Sequence, residues 1–121
     1  MAENREYLTR GEENGSISIA EDVVAAIVAD AVGEIEGVGP MCQNMTEQIT
    51  EQFTGRKALR GVRAELQDGE LVVDVYLMVR YGYAIPETAR KVQDSVSAAV
   101  GGMTGYGVRV VNVHVGGISF N

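Results

Sequence analysis

Tyr81-Gly82-Tyr83-Ala84-Ile85-Pro86-Glu87 opens the segment whose reading decides the fold, and that segment runs on through Met103-Thr104-Gly105-Tyr106-Gly107 to Gly116-Gly117-Ile118-Ser119-Phe120. Within it Ile85, Ala89, Val92, Val96, Ala99, Val100 and Met103 recur at steps of three and four, which puts one apolar stripe on a core-facing helix of about five turns. Pro86 suits the first helical position, where its missing N–H removes nothing, and Gly101-Gly102 supplies a stop. Beyond the helix, Val108 and Val110 alternate with Arg109, and Val111, Val113 and Val115 alternate with Asn112 and His114. The apolar phase slips by one residue between Val110 and Val111, so the strand is either covered on both faces or, as favoured here, carries a bulge or sheet-edge irregularity.

Upstream lies a hairpin. Val62, Ala64 and Leu66 alternate with Arg63, Glu65 and Gln67, Asp68-Gly69 is a favoured two-residue turn, and Leu71, Val73, Val75, Leu77, Val79 and Tyr81 continue one inward face. The turn predicts Leu66 opposite Leu71, Ala64 opposite Val73, Val62 opposite Val75 and Arg63 opposite Asp74. Earlier still, Val24, Ile27, Val28, Ala31 and Ile35 share one face of a helix over 20–35, with Glu21 and Asp22 at its N-terminus. Ala20 leaves that helix without the usual N-cap, and Ser18 with Glu21 offers a substitute capping box. Gly37 and Gly39-Pro40 break the element. Residues 16–19 alternate as a short edge strand, residues 1–14 read as a mobile arm, and Met41, Met45, Ile49 and Phe53 make 41–61 either a short helix or a mobile loop.

These elements predict one α+β domain over 15–121, a two-layer sandwich. A small, mainly antiparallel sheet of three or four strands carries two main helices on one face. If 16–19 join that sheet the order is a split β-α-β; if they do not, three strands remain.

Composition limits the functional classes. A net charge of −7 over 121 residues argues against nonspecific nucleic-acid binding and against adsorption to an anionic bilayer, which both require positive potential, and leaves proteins as partners. The single cysteine, Cys42, has no disulfide partner and no companions for a zinc site, which suits the cytoplasm. The apolar run Val23 to Ala29 falls far short of the ~20 residues that span a bilayer, so no direct membrane insertion is expected.

No catalytic, metal or cofactor-binding constellation emerges. His114 lies with Asn112 on one strand face and reads as a solvated or hydrogen-bonded histidine, and Cys42 as an ordinary thiol. Gly101, Gly102, Gly105 and Gly107 follow a helix C-terminus, whereas anions bind at N-termini, so they read as a stop and turn. Arg56, Lys57, Arg60 and Arg63 concentrate positive charge in an acidic chain; either a solvated loop with an Arg63–Asp74 pair or a docking site fits, and Arg56, Lys57 and Arg60 are the partner-binding candidates. Tyr81, Gly82, Tyr83 and Pro86 form a junction that is either a recognition corner or, as the residues favour, a structural turn with Tyr81 packed inward. Gln93 borders the apolar stripe, where it caps a backbone group or reaches a partner.

Val-x-Tyr-Gly-x-x-Ile-Pro-Glu from Val79, Gln93 in the helix, Met103-Thr104-Gly105 and Val111-Asn112-Val113-x-Val115-x-Gly117-Ile118 together resemble the alkaline shock protein and general stress protein family of Gram-positive bacteria, the envelope stress response family. Gly15-Ser16-Ile17, Glu34-Ile35-Glu36-Gly37-Val38 and Gly55-Arg56-Lys57 ahead of Gly61-Val62 extend the resemblance over 15–120, with Ala20 departing where the family usually has serine. The resemblance implies a non-enzymatic, cytoplasmic protein of cell-envelope homeostasis, a scaffold or adaptor that is brought to the membrane by a membrane-anchored protein partner and that self-associates as a homo-oligomer. It also implies, as a second reading, a regulatory binding protein acting on a metabolic enzyme such as one of fatty-acid synthesis. RNA binding is disfavoured by the acidic charge and by strands without exposed aromatic pairs.

Overall fold

The computed structural model of the chain describes residues 7–41 and 61–120. In chain order these form β1 (Tyr7–Glu12), β2 (Gly15–Ala20), α1 (Glu21–Gly33), β3 (Val38–Met41), β4 (Val62–Gln67), β5 (Glu70–Arg80), α2 (Ile85–Thr104) and β6 (Gly107–Ser119). The architecture is α+β, with two helices and mainly antiparallel strands in two sheets.

The hairpin forms in the predicted register. Asp68 and Gly69 both take positive φ, 53° and 81°, as a two-residue turn matched to the strand twist requires. Leu66 then faces Leu71, Ala64 faces Val73, Val62 faces Val75 and Arg63 faces Asp74. On its other edge β5 pairs in parallel with β6 from Glu70–Gly107 to Arg80–Ser119, and α2 is the crossover that parallel neighbours need. The ladder slips twice, between Leu71 and Val72 and between Leu77 and Met78, leaving Arg109 and Gly116 as the extra residues. The first bulge is the expected phase slip, displaced slightly toward the N-terminus of the strand.

β3 was not expected, because Gly39-Pro40 reads as a break. It pairs irregularly with β5 through Val38–Val79 and Met41–Leu77, beyond the stretch that β4 occupies. A strand has two edges and β6 fills one, so β3 and β4 lie end to end along the other. Residues 16–19 belong to β2, which pairs with β1 in a separate hairpin and leaves the main sheet alone. Residues 7–12, assigned above to a mobile arm, are β1 itself. Leu8 is buried in the core, the Tyr106 hydroxyl donates to its carbonyl at 2.8 Å, and the Arg10 guanidinium lies over the Tyr106 ring while Nη1 donates to the Gly105 carbonyl at 2.8 Å. The anchors are tertiary, which is why the local sequence does not announce them.

Leu71, Val73, Val75, Leu77 and Val79 form the buried face of β5, covered by Val24, Ala25, Val28 and Val32 of α1 and by Val92, Val96 and Val100 of α2. The α2 stripe is buried only at its centre, since Ile85 and Met103 are exposed. The helix also runs through Gly101-Gly102 and stops at Gly105, whose φ of 80° supplies the left-handed cap and whose N–H bonds the Gly101 carbonyl. At the start of α1 the predicted capping box is absent. Ser18 exchanges a hydroxyl contact with Thr9 at 2.9 Å, and the buried Glu21 carboxylate accepts a hydrogen bond from the Ala64 N–H at 3.0 Å, tying the helix to β4. Gln93 donates to the Val111 carbonyl at 3.1 Å, which settles it as a backbone cap linking α2 to β6. Residues 42–60, with the predicted short helix or loop and Cys42, lie outside the described residues.

Glu21→Ala leaves the buried Ala64 N–H without this acceptor, so it is expected to destabilise the domain by about 2 kcal/mol. Urea unfolding midpoints of the two proteins check this, and an unchanged midpoint would remove Glu21 from the α1–β4 contact.

Candidate functional site

The parallel crossover brings the ends of β5 and β6 to one rim of the sheet. The ladder closes with the Tyr81 N–H on the Ser119 carbonyl at 2.7 Å, so Tyr81 and Phe120 leave the sheet as neighbours. Their rings stack with centroids 5.3 Å apart and planes at 29°, yet Tyr81 is 72% and Phe120 77% exposed. Tyr81 is therefore not the inward-packed residue that strand alternation predicts. Alternation ends with the strand, and Gly82, at φ 99°, turns the chain away at once.

The turn delivers Tyr83 to the start of α2, with its N–H on the Arg80 carbonyl at 3.2 Å. Its ring packs against Gly37. A Cβ there would sit 2.8 Å from Tyr83 Cδ2 and 3.1 Å from the Thr88 hydroxyl, and Gly37 also has φ of 96°, so the position admits only glycine for two separate reasons. Arg80 stitches the floor together: its N–H bonds the Gly37 carbonyl at 2.7 Å and its Nε the Val38 carbonyl at 3.1 Å. Two open clefts flank the Arg80–Tyr83 pair. One, of about 320 Å³, is lined by Arg80, Tyr81, Tyr83, Ser119 and Phe120, and the other, of about 270 Å³, by the chain from Gly33 to Val38 with Arg80 and Tyr83. Ile85 and Ile118 add exposed apolar surface at the same rim.

Other candidates resolve differently. His114 Nε2 and Asn112 Nδ2 each lie 3.1 Å from Asp74 Oδ1, and the His114 ring stacks on Tyr76 with centroids 4.5 Å apart. This is a hydrogen-bonded strand histidine that links β6 to β5. Among the described residues no group of three or more His, Cys, Asp or Glu side chains is placed to hold a metal ion. Arg63 is buried, and its guanidinium pairs with Glu65 at 3.4 Å while Asp74 opposite is bonded to Asn112 and His114, so the expected Arg63–Asp74 neighbours share a register position but the ion pair shown is with Glu65. Arg56, Lys57 and Arg60 lie outside the described residues. Among the described residues no helix is long and apolar enough to cross a membrane.

Sequence reasoning underweighted the corner and missed Phe120. The signal was available, because a strand–helix–strand crossover makes the two strands parallel and so sets their C-terminal ends, Tyr81 and Phe120, side by side.

Fold and site together define a small α+β domain whose distinctive surface is an exposed aromatic corner. The chain belongs to the alkaline shock protein 23 family, described by a cell envelope-related function, whose sequence profile matches residues 9–120. Among its relatives are the uncharacterized proteins YqhY and YloU of Bacillus subtilis (strain 168). YqhY is 32% identical over 107 residues, covering 88% of this chain and 79% of the relative. YloU is 29% identical over 106 residues, covering 86% and 88%. The uncharacterized protein Spy1614 of Streptococcus pyogenes serotype M6 is 31% identical over 105 residues, covering 85% and 87%. Relatives thus occur in Gram-positive bacteria, and the family is described by its relation to the cell envelope and by no enzymatic activity.

Gly37→Ala is expected to push the Tyr83 ring off its seat and to cost about 1–3 kcal/mol from the forced backbone. Thermal unfolding together with the chemical shifts of the Tyr83 ring would check both, and a native ring environment in the variant would contradict the packing described.

Proposed function

We propose that this chain is a non-enzymatic scaffold or adaptor of the cell envelope, acting on the cytoplasmic side by holding a membrane-anchored protein partner at the Tyr81–Phe120 corner. The observation that carries the proposal is the stacked, exposed ring pair. Burying one such ring is worth about 1.5–3 kcal/mol, and here the fold leaves that free energy unspent. Aromatic side chains clustered on a shaped rim are the usual anchors of protein interfaces. With a net charge of −7 the chain is repelled by an anionic bilayer, so a position at the membrane calls for a partner. Self-association into a homo-oligomer belongs to the same proposal, and Arg56, Lys57 and Arg60 remain a second proposed contact.

The test is affinity capture of tagged protein from gently cross-linked cells, with envelope and soluble fractions analysed separately. Tyr81→Ser/Phe120→Ser should fold normally, because both rings are exposed, and should lose the dominant envelope partner by ~30-fold or more, the equivalent of a ~2 kcal/mol interface anchor. Glu replacements of Arg56, Lys57 and Arg60 are expected to weaken capture as well. Undiminished capture by the ring variant would remove the corner from the interface, and a soluble biosynthetic enzyme as the main partner would favour metabolic regulation instead.

A further inference from the structure

The corner is chemically asymmetric, and its asymmetry says what kind of partner segment fits. At one end Tyr81, Tyr83 and Phe120 line the larger cleft with Arg80 and Ser119, so aromatic rings stand over a polar floor. At the other end the smaller cleft is lined by the chain from Gly33 to Val38 together with Arg80 and Tyr83. That stretch is the C-terminal end of α1, where the helix dipole places partial negative charge, and the last turn carries no basic side chain to offset it. Glu34 and Glu36 add two exposed carboxylates, and Glu87, in the first turn of α2, adds a third one turn beyond Tyr83. Arg80 lines both clefts and keeps its positive charge, with its Nε on the Val38 carbonyl, so the carboxylates of Glu34 and Glu36 outnumber the one cation among the described residues that line them. Tyr83 lines both clefts and so joins the two ends.

We infer that the corner binds a cationic, apolar peptide segment, seating a Lys or Arg between Glu34, Glu36 and the α1 terminus and an apolar side chain against Tyr81 and Phe120. At about 320 and 270 Å³ the open clefts lie at and just below the lower end of the ~300–1,000 Å³ range of small-molecule pockets, so they suit peptide side chains better than a compact ligand. An acidic segment is repelled, and a second copy of this chain, at net charge −7, meets like charge here. Segments of this composition border membrane-spanning helices on their cytoplasmic side, where Lys and Arg are in excess. The inference rests on the reading of the corner as the partner site and adds the chemistry of what it holds.

Fluorescence anisotropy with the full chain and three labelled peptides of equal length tests it: Lys/Arg interleaved with Leu/Phe, Lys/Arg interleaved with Ser, and Glu interleaved with Leu/Phe. The first should bind at least ~10-fold more tightly than either of the others. Glu34→Gln/Glu36→Gln should weaken it ~10-fold, as should raising salt from about 50 to 300 mM, whereas Glu13→Gln/Asp94→Asn, with the same change in net charge elsewhere, should change it less than ~2-fold. Tyr81→Ser/Phe120→Ser should abolish the preference for the apolar positions. Equal binding of the acidic peptide, equal effects of the two charge variants, or a dimer that the ring variant dissociates would each overturn the inference. Cell capture separates its failure from that of the parent reading: loss of partner in the ring variant but not in Glu34→Gln/Glu36→Gln leaves the corner as the interface and the cationic chemistry wrong.

Discussion

β5 is the constraint on which the rest of the structure depends. Both of its edges are bonded, by β4 and β3 in succession on one side and by β6 on the other. Its helix-facing side chains are fully buried, so a slip of one residue would turn Leu71, Val73, Val75, Leu77 and Val79 out of the core together. The 13 residues of β6 run beside the 11 of β5, and the two bulges take up the difference of two. Without them the valines at 111, 113 and 115 would fall out of phase with Val108 and would not reach the helical layer.

What was legible in the sequence was what depends on local period and turn chemistry. Asp68-Gly69 fixed a register, the spacing of Val92, Val96 and Val100 fixed a helix face, and the valine phase slip announced a bulge in β6. What was not legible depends on distant partners. β1 is held by a Tyr106 hydroxyl nearly the whole chain away and by its own Arg10 guanidinium on the Gly105 carbonyl, Glu21 left its capping role for a backbone N–H of β4, and β3 pairs across a Gly-Pro break. A propensity argument weighs Gly39 against a strand, although a Cβ there would meet the Ser119 side chain at 2.9 Å, so the absence of one is what lets β3 approach.

The corner shows the same division. Tyr81 and Tyr83 were visible and Phe120 was not, and the exposure of Tyr81 was misjudged because alternation was carried one residue past the end of the ladder. Tyr83 packs on the glycine at 37, Tyr81 and Phe120 stack on each other, and the Arg80 side chain bonds the Val38 carbonyl, so each side chain of the corner is positioned by a contact within the fold. The cleft-lining glutamates were noted in the sequence only as part of a family pattern, and their placement at a helix C-terminus emerges from the fold.

The bulges in β6 also bear on how this chain behaves when crowded with copies of itself. Among the described residues β6 pairs only with β5, so its far side offers a valine-rich backbone edge to passing strands. Between Arg109 and Gly116 the ladder is regular for six residues, Val110 to Val115, and at each end the kink breaks the straight hydrogen-bonding repeat that a fibril must propagate. The irregularity that fits β6 to its neighbour thus also limits the length of edge open to aggregation.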